Sequence, residues 1–305
     1  MKKYFLEIVM VLLVVPASAQ LFPLSDFYIF NGLAINPAYA GSNDALSTTI
    51  QYRKQWIGFN DAPINSMLSA HAPFFSDRMG LGMMITRSSF GIYKETSFMG
   101  NYAYRISLPH GKLALGLAFG LTAYRVAWEE LEAADPDDNI LSDNSTSSVL
   151  PDFSLGAYYY GTRAFVGFSL PFFLTHVPAD KSGDYKIKNE AGDYNYFLTG
   201  GYSLTLCRNL DFKPTFLVKY NSHEKLHGDL YLQAEAYKMI SAGAGIRSTG
   251  MLIGTLSCRV NQQLTVSYSF DSDSGRTGNY KRGSHEVLIG YIFKYDRNVM
   301  SPSEL

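Results

Sequence analysis

The chain has 305 residues and a formal net charge of −1, which gives no electrostatic reason to expect nucleic acid as a partner. Hydrophobic residues make up 47% and aromatic residues 14%, with 22 Tyr and 20 Phe against 2 Trp. The length allows one large domain or two ordinary ones, and Cys207 and Cys258 are too few for a disulfide-rich scaffold.

The N-terminus has the pattern of a secretory signal peptide over residues 1–19. Two lysines follow Met1, residues 8–15 are apolar, and Ala17-Ser18-Ala19 provides a cleavage site before Gln20. The alternative is a transmembrane anchor, but the apolar run is shorter than the roughly 20 residues that a spanning helix needs. We therefore expect an exported protein.

Residues 20–44 form a lead-in segment without a sustained hydrophobic period. Pro37 fixes its own φ angle and disfavours the helical region for Asn36, while Gly41 gives the backbone freedom for a sharp turn. The pattern predicts an anchored entry into the first strand, and we place Asn36 to Gly41 on the periplasmic side.

From residue 45 to 295 apolar and polar residues alternate with a period of two, as expected for β-strands with two different faces. In 113–122, for example, Leu113, Leu115 and Leu117 lie opposite Ala114 and Gly116. About fourteen strands are predicted: 45–56, 65–74, 79–88, 96–108, 113–127, 153–160, 163–174, 194–206, 212–220, 229–237, 240–247, 251–260, 263–271 and 284–295. Cys207 and Cys258 would then lie four strands apart, so we expect both to be free, with a disulfide as the less favoured alternative.

The lengths of the connections provide a second indication of the fold. Short connections such as 109–111 and 161–162 alternate with long ones such as 129–151, 175–193 and 272–283. Transmembrane β-barrels have short periplasmic turns and longer external loops, and most of the predicted strands are near the roughly 9–11 residues that cross a bilayer. The sequence therefore predicts an all-β transmembrane antiparallel barrel over residues 45–295, followed by a C-terminal tail at 296–305; a soluble β-sandwich or propeller is the alternative.

Two local patterns suggest metal binding but have simpler explanations. Segment 128–152 is rich in Asp and Glu without any Lys or Arg, which is typical of a solvated acidic loop, with a calcium site as the alternative. His223 to His227 matches the H-E-x-x-H zinc protease pattern, but that chemistry needs a helix, and the segment joins two predicted strands. We expect no metal, no cofactor and no catalytic residue.

The strand phase turns several charged side chains towards the lumen. These are Arg53, Arg105, Lys213, Lys219 and Arg259 with Glu235 and Glu286, an excess of three positive charges. The phase predicts an internal salt-bridge network, with an anion-favouring pore as the alternative. Within it, Arg53 and Trp56 form a candidate latch at the rim, in which Arg53 pairs with Glu286 and Trp56 packs on a folded-in loop.

Two motifs near the ends of the chain resemble the PorP/SprF family of outer-membrane proteins of the type IX secretion system in Bacteroidetes. The first is Asn36-Pro37-Ala38-Tyr39-Ala40-Gly41 with Tyr52, Arg53, Gln55, Trp56, Gly58, Phe59 and Pro63, and the second is Gly283-Ser284-His285-Glu286 before an aromatic last strand. The candidate partner or plug contacts are Asn36, Pro37, Tyr39, Gly41, Arg53, Gln55, Trp56, Gly58 and Glu286.

The resemblance implies an integral outer-membrane barrel, surrounded by lipid, that supports secretion, docking or surface anchoring of type IX cargo. In gliding species the cargo would include motility adhesins, and the implied periplasmic partners are secretion or peptidoglycan-binding proteins. We expect the protein not to be an enzyme. The alternatives are a porin-like transport channel and a membrane-embedded hydrolase, although the sequence offers no pair of nucleophile and base for the latter.

Overall fold

The computed structural model describes residues 25–74, 78–127, 146–178, 185–223, 225–272 and 283–293. The expected signal peptide, the C-terminal tail and residues 128–145 of the acidic segment lie outside these ranges. Among the described residues, no helix is long and apolar enough to cross a membrane.

In the described part of the chain, seventeen strands account for nearly all of the regular structure. They are β1 Leu46–Lys54, β2 Ile64–Phe74, β3 Met79–Phe90, β4 Tyr93–Leu108, β5 Gly111–Val126, β6 Thr146–Tyr160, β7 Ala164–Leu170, β8 Thr175–Pro178, β9 Tyr185–Lys188, β10 Tyr196–Tyr202, β11 Leu204–Cys207, β12 Leu210–Asn221, β13 Lys225–Ala236, β14 Ile240–Arg247, β15 Leu252–Arg259, β16 Leu264–Ser272 and β17 Ser284–Phe293.

The strands close into an antiparallel barrel. Each wall strand pairs with its neighbour in the chain, β10 pairs with both β7 and β12, and β1 pairs with β17. Because β10 and β11 are two halves of one wall strand, interrupted at Ser203, the wall has 14 strands. The predicted fold class and strand number are confirmed.

The two faces of the wall differ as the alternating sequence predicts. On β5, Leu115, Leu117 and Phe119 are each about half exposed on the outer face, whereas Ala114 and Ala118 are buried on the inner face. Apolar side chains continue around the outside of the barrel, and for such a surface contact with lipid is more favourable than contact with water.

One end of the barrel carries the longer connections, 55–63, 127–145, 171–195 and 273–283, and we call it the long-loop end. The opposite, short-turn end has 75–78, 109–110, 161–163, 208–209, 237–239 and 260–263. Several details differ from the prediction. Strand β6 begins at Thr146, so residues 146–152 of the expected acidic loop belong to the wall. Connections 91–92 and 222–224 at the long-loop end are tight turns, β7 ends at Leu170, and β8 and β9 form a separate hairpin within the expected loop 175–193.

The N-terminal segment 25–45 lies inside the barrel, and we call it the plug. It contains three short 3-10 helices, Asp26–Ile29, Gly32–Ala34 and Pro37–Tyr39, and its residues Phe27, Leu33, Ala38 and Ala40 are at most 2% exposed. Asn36 to Gly41 were expected to be a lead-in on the periplasmic side, whereas the structure places them inside the barrel against the inner wall. Apolar plug side chains need a covered surface, and the inner wall provides it.

Candidate functional site

Asn36 attaches the plug to the wall. Its Nδ2 donates to the carbonyl oxygens of Ala157 on β6, at 3.0 Å, and Phe168 on β7, at 3.3 Å. Its Oδ1 accepts from the backbone N–H of Ala38 at 2.9 Å and so caps the helix that Pro37 begins. One amide thus joins the plug to two wall strands and fixes the local turn.

Three glycines make room for the plug on the inner wall. A Cβ atom at Gly80 on β3 would come closer than 3.0 Å to the carbonyl group of Ala40, and one at Gly116 on β5 would meet the backbone of Ala38. A Cβ at Gly156 on β6 would meet the side chain of Asn36. Since backbone atoms at two of these contacts cannot rotate away, the wall accepts the plug only where a side chain is missing.

The plug turns into β1 at the short-turn end. Gly41 has a φ of +76°, and its N–H donates to Nδ1 of His71 at 3.1 Å. Tyr39 is buried, with its ring 5.4 Å from that of His71 and also 5.4 Å from that of Tyr158. Gly41 is required here because the left-handed backbone is unfavourable for residues with a Cβ.

Two salt bridges to Asp44 fix the same turn. Nη1 of Arg105 lies 2.6 Å from Oδ1 of Asp44, and Nζ of Lys112 lies 2.9 Å from Oδ2 of the same carboxylate. Arg105 also donates to the carbonyl oxygen of Gly41. Two inward-facing cations on β4 and β5 therefore position the last residues of the plug.

Ion pairs between side chains hold the start of the plug. Nη1 of Arg53 on β1 lies 2.7 Å from Oδ2 of Asp26 and 3.0 Å from Oε2 of Glu286 on β17, and Nη2 of Arg53 contacts Asp271 on β16. The backbone N–H of Asp26 donates to Glu286 at 2.8 Å, and the Ser25 hydroxyl donates to it at 2.6 Å. The predicted pair of Arg53 and Glu286 is confirmed, within a larger cluster.

Arg247 on β14 extends this cluster along the inner wall. Its Nη2 lies 3.1 Å from Oδ1 of Asp26, and its Nε lies 3.2 Å from Oδ2 of Asp229 on β13. Burial raises the pKa of Asp26, but the charges of Arg53 and Arg247 outweigh this and hold the pKa below its ordinary value. Asp26 is therefore an ionised group between two arginines, and it joins the plug to β1 and β14, which lie on the same side of the wall with β15–β17 between them.

The other charged residues predicted to face inward also do so. Nζ of Lys213 lies 2.7 Å from Oε2 of Glu235, Nη2 of Arg259 lies 3.5 Å from Oε1 of Glu235, and Arg105 is 2% exposed. Lys219 lies 3.9 Å from Asp229. The expected excess of three positive charges is wrong, because the further inward acidic residues Asp26, Asp229 and Asp271 outnumber the further inward cations Arg247 and Lys112.

A cavity of about 370 Å³ remains between the plug and β1–β6 in the half of the barrel towards the long-loop end. Leu33, Ile35 and Pro37 of the plug border it on one side. The inner faces of the strands contribute both methionines and polar residues to the lining: Gln51, Arg53, Asn65, Met67, Met84, Thr86, Ser88, Glu95, Ser97 and Met99. The lumen is thus partly filled and partly open.

Three of the sequence-predicted residues lie at the long-loop end, outside the plug contacts. The backbone N–H of Gln55 donates to the carbonyl oxygen of Pro63 at 2.9 Å, and Gly58 has a φ of +92°. Trp56 is 37% exposed and packs edge-on against Phe90, with ring centroids 6.1 Å apart. Trp56 therefore supports the turn between β3 and β4, and the expected contact with a folded-in loop is not formed among the described residues.

The His223–His227 pattern does not form a helix. His223 is exposed in the turn after β12, with Nε2 2.7 Å from Oδ1 of Asp193, whereas His227 is buried on β13. The two imidazoles are separated by the change from turn to strand. Cys207 and Cys258 are both free and exposed.

The model of the family described as "Type IX secretion system membrane protein PorP/SprF" matches residues 17–291. This chain belongs to the PorP/SprF family. Its barrel is integral to the outer membrane, in agreement with the apolar outer face. No curated protein matches the sequence.

Solved structures share the PorP/SprF barrel fold at low sequence identity. The CymD monoaromatic hydrocarbon channel has 12% identity and a TM-score of 0.52, with 90% of this chain and 95% of that chain covered. The toluene transporter TbuX of Ralstonia pickettii has 11% identity and a TM-score of 0.52, with coverage of 91% and 96%. At these identities the likeness establishes only the fold.

Proposed function

We propose that this PorP/SprF protein is a non-enzymatic component that supports secretion, docking or surface anchoring of type IX secreted proteins. The observation that carries the proposal is the plug. Because residues 25–45 occupy the lumen and contact the wall on several sides, the barrel is a poor open pore for polar solutes. A barrel of this kind is suited to holding a position in the membrane and binding partners at its ends.

In this proposal the two ends have different partners. The long-loop end meets secreted cargo or an adhesin, because its connections are the longer ones and binding residues are often found on loops. The short-turn end meets periplasmic secretion or peptidoglycan-binding proteins. Asn36, Pro37, Tyr39 and Gly41 act indirectly here, since they are buried and fix the plug rather than contact a partner.

The experiment is a pull-down of tagged protein from its native envelope, with the captured proteins identified by mass spectrometry. A variant with connection 171–195 replaced by a short Gly/Ser linker is compared with one in which 208–209 is replaced by Asn-Gly. We expect the first variant to lose secreted proteins and keep periplasmic ones. The docking proposal is wrong if the unmodified protein captures no secreted protein.

A transport channel is the second candidate, and the cavity of about 370 Å³ favours it. The two functions differ in conductance. A plugged docking barrel gives little steady current in a planar bilayer, whereas a channel gives discrete, lasting steps. Steady single-channel conductance together with an empty pull-down would support transport and overturn docking.

A further inference from the structure

The wall of the cavity has an ordered arrangement of polar and apolar side chains. Strand pairing aligns Arg53, Asn65, Ser88 and Glu95 in one cross-strand row near the long-loop end. Two residues deeper, Gln51, Met67, Thr86 and Ser97 form the next row. Two residues deeper again, Met84 pairs with Met99. The cavity therefore changes from polar at its outer level to methionine-rich further in.

Glu95 is the unusual member of the outer row. Its side chain is half-buried on the inner face of β4, and no described residue forms a hydrogen bond or ion pair with its carboxylate. Its neighbours in the row are the Ser88 hydroxyl and, on β5, Tyr124. A half-buried carboxylate without a partner is a favourable contact for a positively charged ligand group.

We propose that the cavity binds a small amphipathic primary amine, with its ammonium group at Glu95 and its apolar body among Met67, Met84 and Met99. From Glu95 to Met99 the strand rises by about 13 Å, which suits a chain of about six to eight carbons. Methionine side chains adapt to flexible apolar ligands, and the cavity volume lies within the range of small-molecule sites. This site does not depend on the proposed role in secretion.

The charge of the ligand follows from the lining. An ammonium group replaces its lost hydration by a charge-assisted hydrogen bond to Glu95 and by hydrogen bonds to the hydroxyl oxygens of Ser88 and Ser97. A carboxylate of the same chain length would face Glu95 with like charge. Arg53 does not offset this, because its guanidinium already contacts three carboxylates. Lys94 and Arg125 also border the cavity, but they occupy strand positions that alternate with Glu95 and Tyr124 and so start on the outer face.

The experiment uses the full mature protein in lipid nanodiscs with ¹³C-methyl-labelled methionine. Hexylamine, hexanol and hexanoate are titrated at pH 7, and Met84→Leu and Met99→Leu variants assign the methyl signals. We expect hexylamine to shift the signals of Met67, Met84 and Met99 in a saturable way. Hexanol should bind about 10-fold more weakly or worse, and hexanoate should not bind.

Variants test the contact itself. Glu95→Gln should weaken hexylamine binding by about 10- to 100-fold, whereas Asp211→Asn, which alters a carboxylate on β12 away from the cavity, should leave it unchanged. Met99→Phe should reduce binding by filling the inner end. Each variant is first checked for the heat-dependent gel mobility of a folded barrel, and a variant that fails is replaced by Met84→Phe or Glu95→Ala.

Three outcomes would overturn the proposal. One is equal binding of hexylamine and hexanol, since Glu95 would then not select the head group. Another is a non-saturable shift of methionines on both faces of the barrel, which means partition into lipid. The third is the absence of any shift at Met67, Met84 and Met99.

Discussion

Seating of the plug depends on the missing side chain at Gly116. We expect Gly116→Ala to weaken plug docking, because its Cβ would come closer than 3.0 Å to the backbone of Ala38, which cannot rotate away. Forcing one extra methyl group into a packed contact costs about 1–3 kcal/mol. If the whole cost falls on the docked state, the fraction of undocked plug rises about 5- to 150-fold.

The assay measures accessibility of the plug in a barrel that stays folded. Ser42 is fully buried and its hydroxyl has no partner among the described residues, so Ser42→Cys is a nearly isosteric reporter. Cys207 and Cys258 are first replaced by Ser. The rate of labelling by a water-soluble maleimide then reports opening of the plug, and heat-dependent gel mobility reports the state of the barrel.

Gly100→Ala on the neighbouring strand is the matched control. A Cβ at Gly100 has its nearest neighbour, the carbonyl oxygen of Phe119, at an ordinary 3.7 Å, and it is on the outer face. We expect labelling of Ser42→Cys to accelerate with Gly116→Ala and to remain at the parent rate with Gly100→Ala. Equal rates in the two variants would refute the argument that glycine spacing seats the plug.

Three further predictions concern the contacts of the plug. Arg53→Met leaves three buried carboxylates without the cation that they share, so it should lower the free energy of unfolding by about 3–5 kcal/mol in urea titrations. The control is Lys54→Met at the exposed neighbouring residue, which should change the free energy of unfolding by less than about 0.5 kcal/mol. Because folding lowers the pKa of Asp26, this residue contributes its full stabilisation above its ordinary pKa of 3.8, and the stabilisation disappears as the pH falls through the folded pKa. Asp26→Asn should therefore reduce the acid-induced loss of hydrogen-exchange protection in residues 25–35. An acid response equal to that of the parent protein would contradict this prediction. Asn36→Ala removes two hydrogen bonds to the wall and a helix cap, so Ser42→Cys should be labelled about 5- to 150-fold faster in this variant. Labelling at the parent rate would show that the close contacts at the glycines hold the plug in place without Asn36.

The sequence predicts which side chains of a strand face inward, because each wall strand has one face in lipid and one in the lumen. Arg53 and Glu286 were therefore assigned to the inside, and their cross-strand pairing on β1 and β17 brings them together. The sequence predicts the lengths of the connections between strands less accurately. The turns at 91–92 and 222–224 are short because β4 and β13 begin at Tyr93 and Lys225, before the predicted starts at 96 and 229.

The plug could not be predicted from periodicity. Its three 3-10 helices have three or four residues each, too few to show a repeating pattern, so Asp26 was not recognised as part of the charge cluster. One signal was available. Gly80, Gly116 and Gly156 all fall at inward-facing positions of predicted strands, and small residues on the inner face indicate that another part of the chain approaches closely.

The position of Asp26 also bears on the order in which the molecule can be completed. Asp26 is near the beginning of the chain, and it contacts both Arg53 of the first strand and Glu286 of the last, which are 233 residues apart in sequence. Its contacts, which include the backbone hydrogen bond to Glu286, are therefore complete only when β17 has joined β1. Such distant contacts are slow to form. Closing the circle of strands and locking the N-terminal residues in place thus become a single, final event of assembly.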